Sequence, residues 1–212
     1  MDLVLYDKNG NLLKTTQSGR LGVYKKLPDM VQLVAEGKVW AVQDQTTTAE
    51  ALVAPPTTTA GLTMQNPAGS DKYYVILGHS YIVDVMAVTA EEVSIWICTH
   101  KLAAVAFTRD LTLVATGAGA ISCLKAGKAY DGQVILDRGA TVVDDGWVPL
   151  VGDPYHYTAS NVDLAHARKL LFPVVIPPGF HASVASVLTE NTIEVGHGLI
   201  WAELDPEDVL EQ

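Results

Sequence analysis

From residue 72 onward, the chain is a series of short segments rich in β-branched and aromatic residues, with Gly, Asp and Pro between them. The segments are KYYVILGHSYIVDVMAV, VSIWICT, LTLVAT, GQVILDR, ATVV, LFPVVIP, HASVASVL and TIEVGHGLIWAEL. Short strands that recur roughly every ten residues are typical of antiparallel sandwiches and barrels. We therefore expect an all-β body, in which Gly78 either separates two strands or bends one long strand.

The last of these segments has the clearest alternation of apolar and other residues. Val195, Leu199 and Trp201 fall on one face of an extended chain, whereas Glu194 falls on the opposite face. This period of two predicts a strand with one buried face and one exposed face. His197 shares the apolar face, where we expect a hydrogen-bonded core imidazole rather than a metal ligand.

The first 60 residues have a different character. Asn9-Gly10 lies between two short apolar segments and predicts a tight turn in a small hairpin over residues 3–15. The stretch KLPDMVQLVAEGK predicts a short helix that Gly37 caps. Residues 46–67 are rich in Thr, Ala and Pro, and Pro55-Pro56 cannot donate to a sheet, so we expect an extended strap or edge strand there.

These differences predict three parts: an N-terminal arm over residues 1–60, a β-sandwich body over 61–204 and an acidic, solvated tail over 205–212. If the arm reaches onto neighbouring subunits, its large apolar and Pro residues should make the contacts. The candidate arm contacts are Tyr24, Trp40, Pro55 and Pro56.

Charge and hydropathy exclude several partners. The formal net charge is -10, and the 14 Lys and Arg residues are scattered, which does not suit a nucleic-acid backbone. No apolar run approaches the roughly 18 residues of a membrane helix, and the first residues do not resemble a secretion signal. We therefore expect no nucleic-acid or membrane partner, and synthesis in a cytoplasm. Cys98 and Cys123 lie among apolar neighbours, which favours buried thiols over a disulfide.

The motif most similar to an enzyme's is Gly117-Ala-Gly119 after LTLVAT, with Asp137 about 20 residues later, as in a dinucleotide-binding fingerprint. Ser122 stands where the third Gly of that fingerprint belongs, and Gly127 and Asp131-Gly132 interrupt the following segment. Too little sequence remains for the crossover helix of a parallel βαβ unit. The pattern favours a bend between strands over a cofactor loop.

No other chemical motif is recognisable. The six histidines form no HxH, HxxxH or HExxH pattern, and no serine lies in GxSxG. His181 could pair with His197 only if the two final strands are neighbours. We therefore assign no catalytic, cofactor-binding or metal-binding residue, and expect that the protein is not an enzyme and holds no cofactor. The polar connection DPYHYTASN supplies the one candidate interaction patch, Tyr155, His156 and Tyr157, because exposed tyrosines suit glycans and subunit contacts.

Two stretches carry a resemblance to a known group of proteins. VVIPPGFHASVASVLTENTIEVGHGLIWAEL runs from a strand into Pro177-Pro178-Gly179, and LTMQNPAGSDKYYVILGHSYIVDV has Asn66 to Lys72 ahead of a long strand. Over residues 60–204 this order resembles the jelly-roll structural proteins of tailed bacteriophage particles, including head decoration (cement) proteins and tail-associated proteins. The resemblance implies an eight-stranded, two-sheet sandwich, usually trimeric, without catalytic residues.

The resemblance leads to a functional expectation with two alternatives. We expect a virion structural protein, made in the host cytoplasm, that decorates a phage head as a homo-oligomer, a trimer, and contacts the major capsid or other virion proteins through loops and the arm. One alternative is a tail-associated module that binds a surface glycan or receptor through the Tyr155 patch. The other is an enzyme, cupin-like or nucleotide-dependent.

Overall fold

The computed structural model of the 212-residue chain describes residues 5–6, 12–15, 21–22, 30–44, 48–49, 56, 60–83, 91–101, 121–138, 146–150, 155–157, 165–188 and 194–210. Every strand pair among these residues is antiparallel, and the two large sheets bury apolar side chains between them. The predicted all-β sandwich is therefore confirmed. Because none of the described strand pairs is parallel, they include no βαβ unit.

The first large sheet, sheet I, contains β6 (Leu62–Asn66), β8 (Glu91–Lys101), β10 (Ile135–Arg138), β11 (Val148–Pro149), β12 (Tyr155–Tyr157) and β14 (Phe180–Leu188). The second, sheet II, contains β4 (Val39–Gln43), β5 (Thr48–Ala49), β7 (Tyr73–Val83), β9 (Ser122–Cys123), β13 (Ala165–Ile176) and β15 (Glu194–Leu204). Outside these sheets lie the N-terminal strands β1 (Leu5–Tyr6), β2 (Leu12–Thr15) and β3 (Leu21–Gly22), and the helices α1 (Met30–Ala35) and α2 (Pro206–Leu210).

The strands of the two sheets alternate along the chain, as in jelly-roll-like sandwiches. Sheet II runs β13-β7-β15-β4-β9, and sheet I runs β10-β6-β14-β8, with β11 and β12 both along the outer edge of β8. The chain passes from one sheet to the other at each step from β6 through β8 and again from β13 through β15. Such interleaving is typical of jelly-roll-like sandwiches, and β10 forms the edge of sheet I beside β6.

The main core lies between the sheets and consists of large apolar side chains of both. Its fully buried members include Trp40, Leu62, Met64, Ile76, Leu136, Leu199 and Trp201. A second cluster continues the core toward the other end of the sandwich, around Tyr81, Val93 and Val195. Removing such side chains from water is the dominant stabilising term for a domain of this kind.

An ion pair also joins the two sheets. Arg138 at the end of β10 lies with its Nε 2.9 Å from an Oδ atom of Asp44, which follows β4, and the Asp44 side chain is 5% exposed. A carboxylate at that depth needs a cation close by, because desolvation penalises an uncompensated charge. This pair therefore fixes β10 of sheet I against the β4 end of sheet II.

Gly78 does not divide its segment into two strands. β7 is one strand of 11 residues. In its ladder with β15, Ile76 and Gly78 pair with the consecutive residues Trp201 and Ile200, so Leu77 is an extra residue on β7. The extra residue is a β-bulge, which bends the strand. The second of the two sequence-based alternatives, one long bent strand, is confirmed.

Asn66 joins the β6–β7 turn to the Pro-Pro-Gly turn. Its buried Nδ2 donates to the carbonyls of Lys72 and Ile176, both at 2.8 Å, and its Oδ1 accepts from the hydroxyl of Ser70. The amide of Gly179, which has φ 81°, donates to the Asn66 carbonyl at 2.9 Å. The β6–β7 turn and the Pro-Pro-Gly turn are thus fixed to the same residue.

Helix α1 confirms the predicted short helix and its cap. The amide of Gly37, φ 72°, donates to the carbonyl of Val34, and the amide of Lys38 donates to that of Leu33. This pair of bonds is a Schellman motif, which requires the left-handed conformation that glycine adopts readily. Leu33 packs on Val39, Val75, Ala202 and Leu204, on the outer face of sheet II. The sequence predicts that the outer face of β15 is exposed, and this prediction is wrong where α1 covers that face.

The boundary at residue 60 needs correction. Residues 39–43 form β4, whose Trp40 pairs with Trp201 of β15 inside sheet II. A strand in that position is part of the core, so the body begins ahead of residue 60. The acidic tail is not simply solvated either. Residues 206–210 form α2, and Val209 packs against the α1 cluster.

The N-terminal strands confirm the hairpin predicted over residues 3–15. β1 pairs antiparallel with β2, and β2 pairs with β3. The Asn9-Gly10 turn itself lies outside the described residues. Among the helices that the structure describes, none combines the length and apolar character needed to cross a bilayer.

Candidate functional site: a polar cleft at one end of the sandwich

A cleft of about 370 Å³ opens where the Trp40 end of the core meets the surface. Its walls come from three places: residues 36–38 after α1, residues 70–72 in the β6–β7 turn, and residues 128–133 ahead of β10. Strand β15 supplies Glu203 at its base. Because two of these walls are fixed by the Schellman motif and by Asn66, the cleft is shaped before any ligand arrives.

An aromatic cluster supports the base of the cleft. The ring of Tyr130 packs edge-on against Trp40, with centroids 4.8 Å apart at 89°, and also against Trp201 at 6.4 Å. The hydroxyl of Tyr130 accepts the amide N–H of Val134 at 2.7 Å and donates to Glu203 Oε1 at 2.9 Å. The indole N–H of Trp201 donates to the same oxygen at 3.1 Å. Glu203 is therefore held in one orientation.

The second oxygen of Glu203 lies beside Gly132, and both residues line the cleft. A Cβ placed on Gly132 would lie 2.6 Å from Glu203 Oε2 and would also clash with the Tyr130 hydroxyl, so only glycine fits against these two side chains. Neither the described side chains nor the described backbone amides donate a hydrogen bond to Oε2. This oxygen is the acceptor that the cleft offers at its base.

Burial changes the titration of the groups around Glu203. Desolvation raises the pKa of the Glu203 carboxyl, an effect that the hydrogen bonds from Trp201 and Tyr130 oppose. Desolvation, followed by the nearby Glu203 carboxylate, raises the pKa values of Tyr130 and Tyr74 well above the usual range. Both phenols therefore remain protonated near neutral pH and can donate.

Three lysines line the cleft, and each has an acidic partner. Lys38 Nζ lies 3.3 Å from Glu36 and 3.5 Å from Asp208, and Lys72 pairs with Asp205. Lys128 Nζ lies 3.5 Å from Asp131, donates to the Gly37 carbonyl at 3.0 Å and sits 5.0 Å above the Trp40 ring. Positive and negative groups thus alternate around the rim, and neither sign dominates.

A separate polar chain crosses the interior between the sheets. His79 Nε2 and His197 Nδ1 are 3.2 Å apart, and His197 Nε2 lies 3.2 Å from the hydroxyl of Ser186 on sheet I. Tyr81 stacks on His79 at 5.9 Å. Burial, followed by His197, depresses the pKa of His79 well below its usual value. The prediction that His197 is a hydrogen-bonded core imidazole is confirmed.

His181 belongs to a different pair. β14 and β15 lie in different sheets, so the condition for pairing His181 with His197 is not met. His181 instead lies opposite His100 across the β14–β8 ladder, with ring centroids 5.6 Å apart. Burial, followed by His100, lowers the pKa of His181 to about 4. In the described part of the chain, no set of three or more His, Cys, Asp or Glu side chains is arranged to hold a metal ion.

The other sequence-based candidates are scattered. Tyr155, His156 and Tyr157 form β12, which pairs with residues 91–93 of β8 at the edge of sheet I. Trp40 is 1% exposed in the core, so its assignment as an arm contact is wrong. Pro56 is also buried. Tyr24, Pro55 and the Gly117 loop lie outside the described residues.

Both cysteines are thiols, Cys98 buried in sheet I and Cys123 half-buried in sheet II. Sequence reasoning did not identify the cleft residues. Glu203 lies in the last predicted strand, and its spacing of two from Trp201 places both side chains on the same face of that strand. An acid in register with a buried tryptophan was the available signal. The sequence contains no comparable signal for Tyr130 and Lys128, because the residues that they contact are distant along the chain.

Comparison of the chain with models of protein families, with curated proteins and with solved structures finds no match in any of the three. The fold and the side chains described above therefore carry the functional argument.

Proposed function

We propose that this protein is a virion structural protein, a decoration (cement) protein that binds a phage head as a homo-oligomer, a trimer. The observation that carries the proposal is an apolar sheet edge on a jelly-roll body. β13 pairs with β7 along one side, and no described strand pairs with its other side. On this strand the side chain of Phe172 is 77% exposed and that of Val175 is 43% exposed.

An open edge with exposed apolar residues favours association with other chains. Unpaired strand edges bind further strands or side chains of neighbours, and large aromatic residues are enriched in protein interfaces. Pro173 interrupts the edge next to Phe172, and the β13–β7 register shifts between Lys169 and Val174. Because Pro lacks an N–H, this segment cannot continue a regular ladder. It therefore suits a specific side-chain contact better than open-ended strand addition.

The resemblance noted in the sequence supports the identity of the partners. The motifs that carry it, Asn66 to Lys72 and Pro177-Pro178-Gly179, form one hydrogen-bonded unit around Asn66. A rigid sandwich with fixed turns suits a repeated shell, in which each copy must offer the same surface. The acidic net charge of -10 would complement a basic surface on the shell.

The first test is the solution assembly of the purified chain, measured by light scattering after size exclusion. We expect a trimer, which Phe172→Ser should convert to monomers. Val31→Ser is the matched control, because Val31 is 75% exposed but belongs to α1 and not to the β13 edge. Monomers of the unmodified chain at all concentrations, or an unchanged trimer in the Phe172 variant, would contradict the proposed contact.

The second test is electron microscopy of purified particles of the virus that encodes the chain. Density for the sandwich should occupy the head surface at a fixed stoichiometry. Its absence from particles, with the protein present only in the soluble fraction of infected cells, would reject the virion role.

A further inference from the structure

We propose that the cleft beneath Gly132 is a binding site for a neutral sugar, one or two pyranose units long, with Glu203 as the central acceptor. This site is distinct from the β13 edge and does not depend on the proposed virion role. Its volume of about 370 Å³ is near the lower limit of small-molecule sites, roughly 300–1,000 Å³.

The charges of the cleft argue against an ion as the ligand. An anion would have to displace carboxylates from Lys38, Lys72 and Lys128, since each ammonium already has an acidic partner. A cation would have to approach Glu203 past the same three ammonium groups. The lining therefore favours a molecule without net charge that can bond donors and acceptors together.

Sugar hydroxyls meet that requirement because each one both donates and accepts. At the base, Glu203 Oε2 is positioned as an acceptor by the two bonds that hold Oε1. At the rim, Lys72 has one carboxylate partner for its three N–H groups and is 42% exposed, so it can donate further. Hydrogen bonds to charged groups are the stronger ones, which helps a polyol compete with water.

The lining of the cleft also has an aromatic part. Trp40 and Tyr74 line it, and Tyr130 packs edge-on against Trp40 with centroids 4.8 Å apart, which fixes that ring. Aromatic side chains offer an apolar surface together with a polar tip. A pyranose likewise has apolar C–H faces and polar edges, so such a lining suits a sugar.

The test is binding of the full chain to an array of neutral glycans, followed by titration calorimetry with the best ligand. Gly132→Ala should abolish binding because its methyl group would displace the Glu203 carboxylate and the Tyr130 hydroxyl at the base of the cleft. Gly69→Ala is the matched control, since a Cβ there meets nothing within 4 Å. Lys72→Met should weaken binding about tenfold to a hundredfold, the loss of roughly one charge-assisted hydrogen bond. This variant leaves the core intact, so it still tests the site if Gly132→Ala fails to fold.

The remaining outcomes count against the proposal. Phosphate and calcium chloride serve as ionic probes in thermal shift measurements. A phosphate shift that Lys72→Met removes, or a calcium shift that Glu203→Gln removes, without any neutral glycan bound, would show an ion site instead. Glycan binding that survives both Gly132→Ala and Lys72→Met would place the sugar elsewhere, and an array without a neutral ligand would overturn the inference.

Discussion

Acidification should destabilise this protein through His181, by at most about 3 kcal/mol. His181 is fully buried on β14, where burial and the neighbouring His100 lower its pKa from 6.5 to about 4. In the unfolded chain, the imidazole takes up its proton near pH 6.5. The unfolded state therefore binds more protons between these two values, and stability falls as pH decreases through that window. A loss of about 1.4 kcal/mol per pH unit over this interval gives the stated figure.

The assay is urea unfolding followed by tryptophan fluorescence at pH 7.5, 5.5 and 4.5. The unmodified protein should lose stability steeply below pH 6.5, and His181→Gln should have a clearly flatter pH profile, whatever its stability at pH 7.5. His100→Gln should also flatten it, because without the repulsion from His100 the pKa of His181 rises toward 6.5. If His181→Gln loses stability with acid as steeply as the unmodified chain, the reasoning about its burial is refuted.

Three further predictions use single substitutions. Gly198→Ala should lower the free energy of unfolding in urea by about 1–3 kcal/mol, because its Cβ would lie 2.3 Å from the Ser80 hydroxyl and 2.6 Å from a backbone carbonyl. The control Gly69→Ala should change that free energy by less than about 0.5 kcal/mol. Equal effects of the two substitutions would contradict the close packing at Gly198. Asn66→Ala should cost about 3 kcal/mol or more, since two carbonyls lose their donor, and a melting temperature close to that of the unmodified protein would show that the turns hold without it. Glu203→Gln should raise the free energy of unfolding at pH 8 but not at pH 4. The amide oxygen keeps both hydrogen bonds, and the raised pKa of Glu203 means that ionising the carboxyl in the folded state costs free energy, which applies only at high pH. A lower stability of the variant at pH 8 would mean that the charge itself is stabilising.

The strands were predictable where the pattern is local. β-branched residues at a period of two identify β7, β14 and β15, and the short helix follows from its apolar face and Gly37. His197 could be placed in the core because it shares a strand face with Val195 and Leu199. In each case the deciding signal lies within a single segment.

Features that depend on distant partners were missed or misplaced. VWAVQ, residues 39–43, looks like an isolated apolar segment of the arm, and only its pairing with β15 makes it part of the core. α2 had a local signal that was overlooked: Asp205 precedes Pro206, and Pro at the first helical position is favourable. The cleft draws Lys38, Lys72, Lys128 and Glu203 from four separate segments, so no spacing along the chain could reveal it.

The pairing of β4 with β15 also governs when the protein can fold during translation. β4 leaves the ribosome early, yet its neighbour in the sheet becomes available only after residues 194–204 have emerged. β7 also pairs with β15 along one of its sides, and this pairing becomes possible only at the same late stage. Contacts so distant in sequence close large loops and form slowly. Until then the nascent chain carries unpaired apolar strands, and exposed strands of that kind favour aggregation.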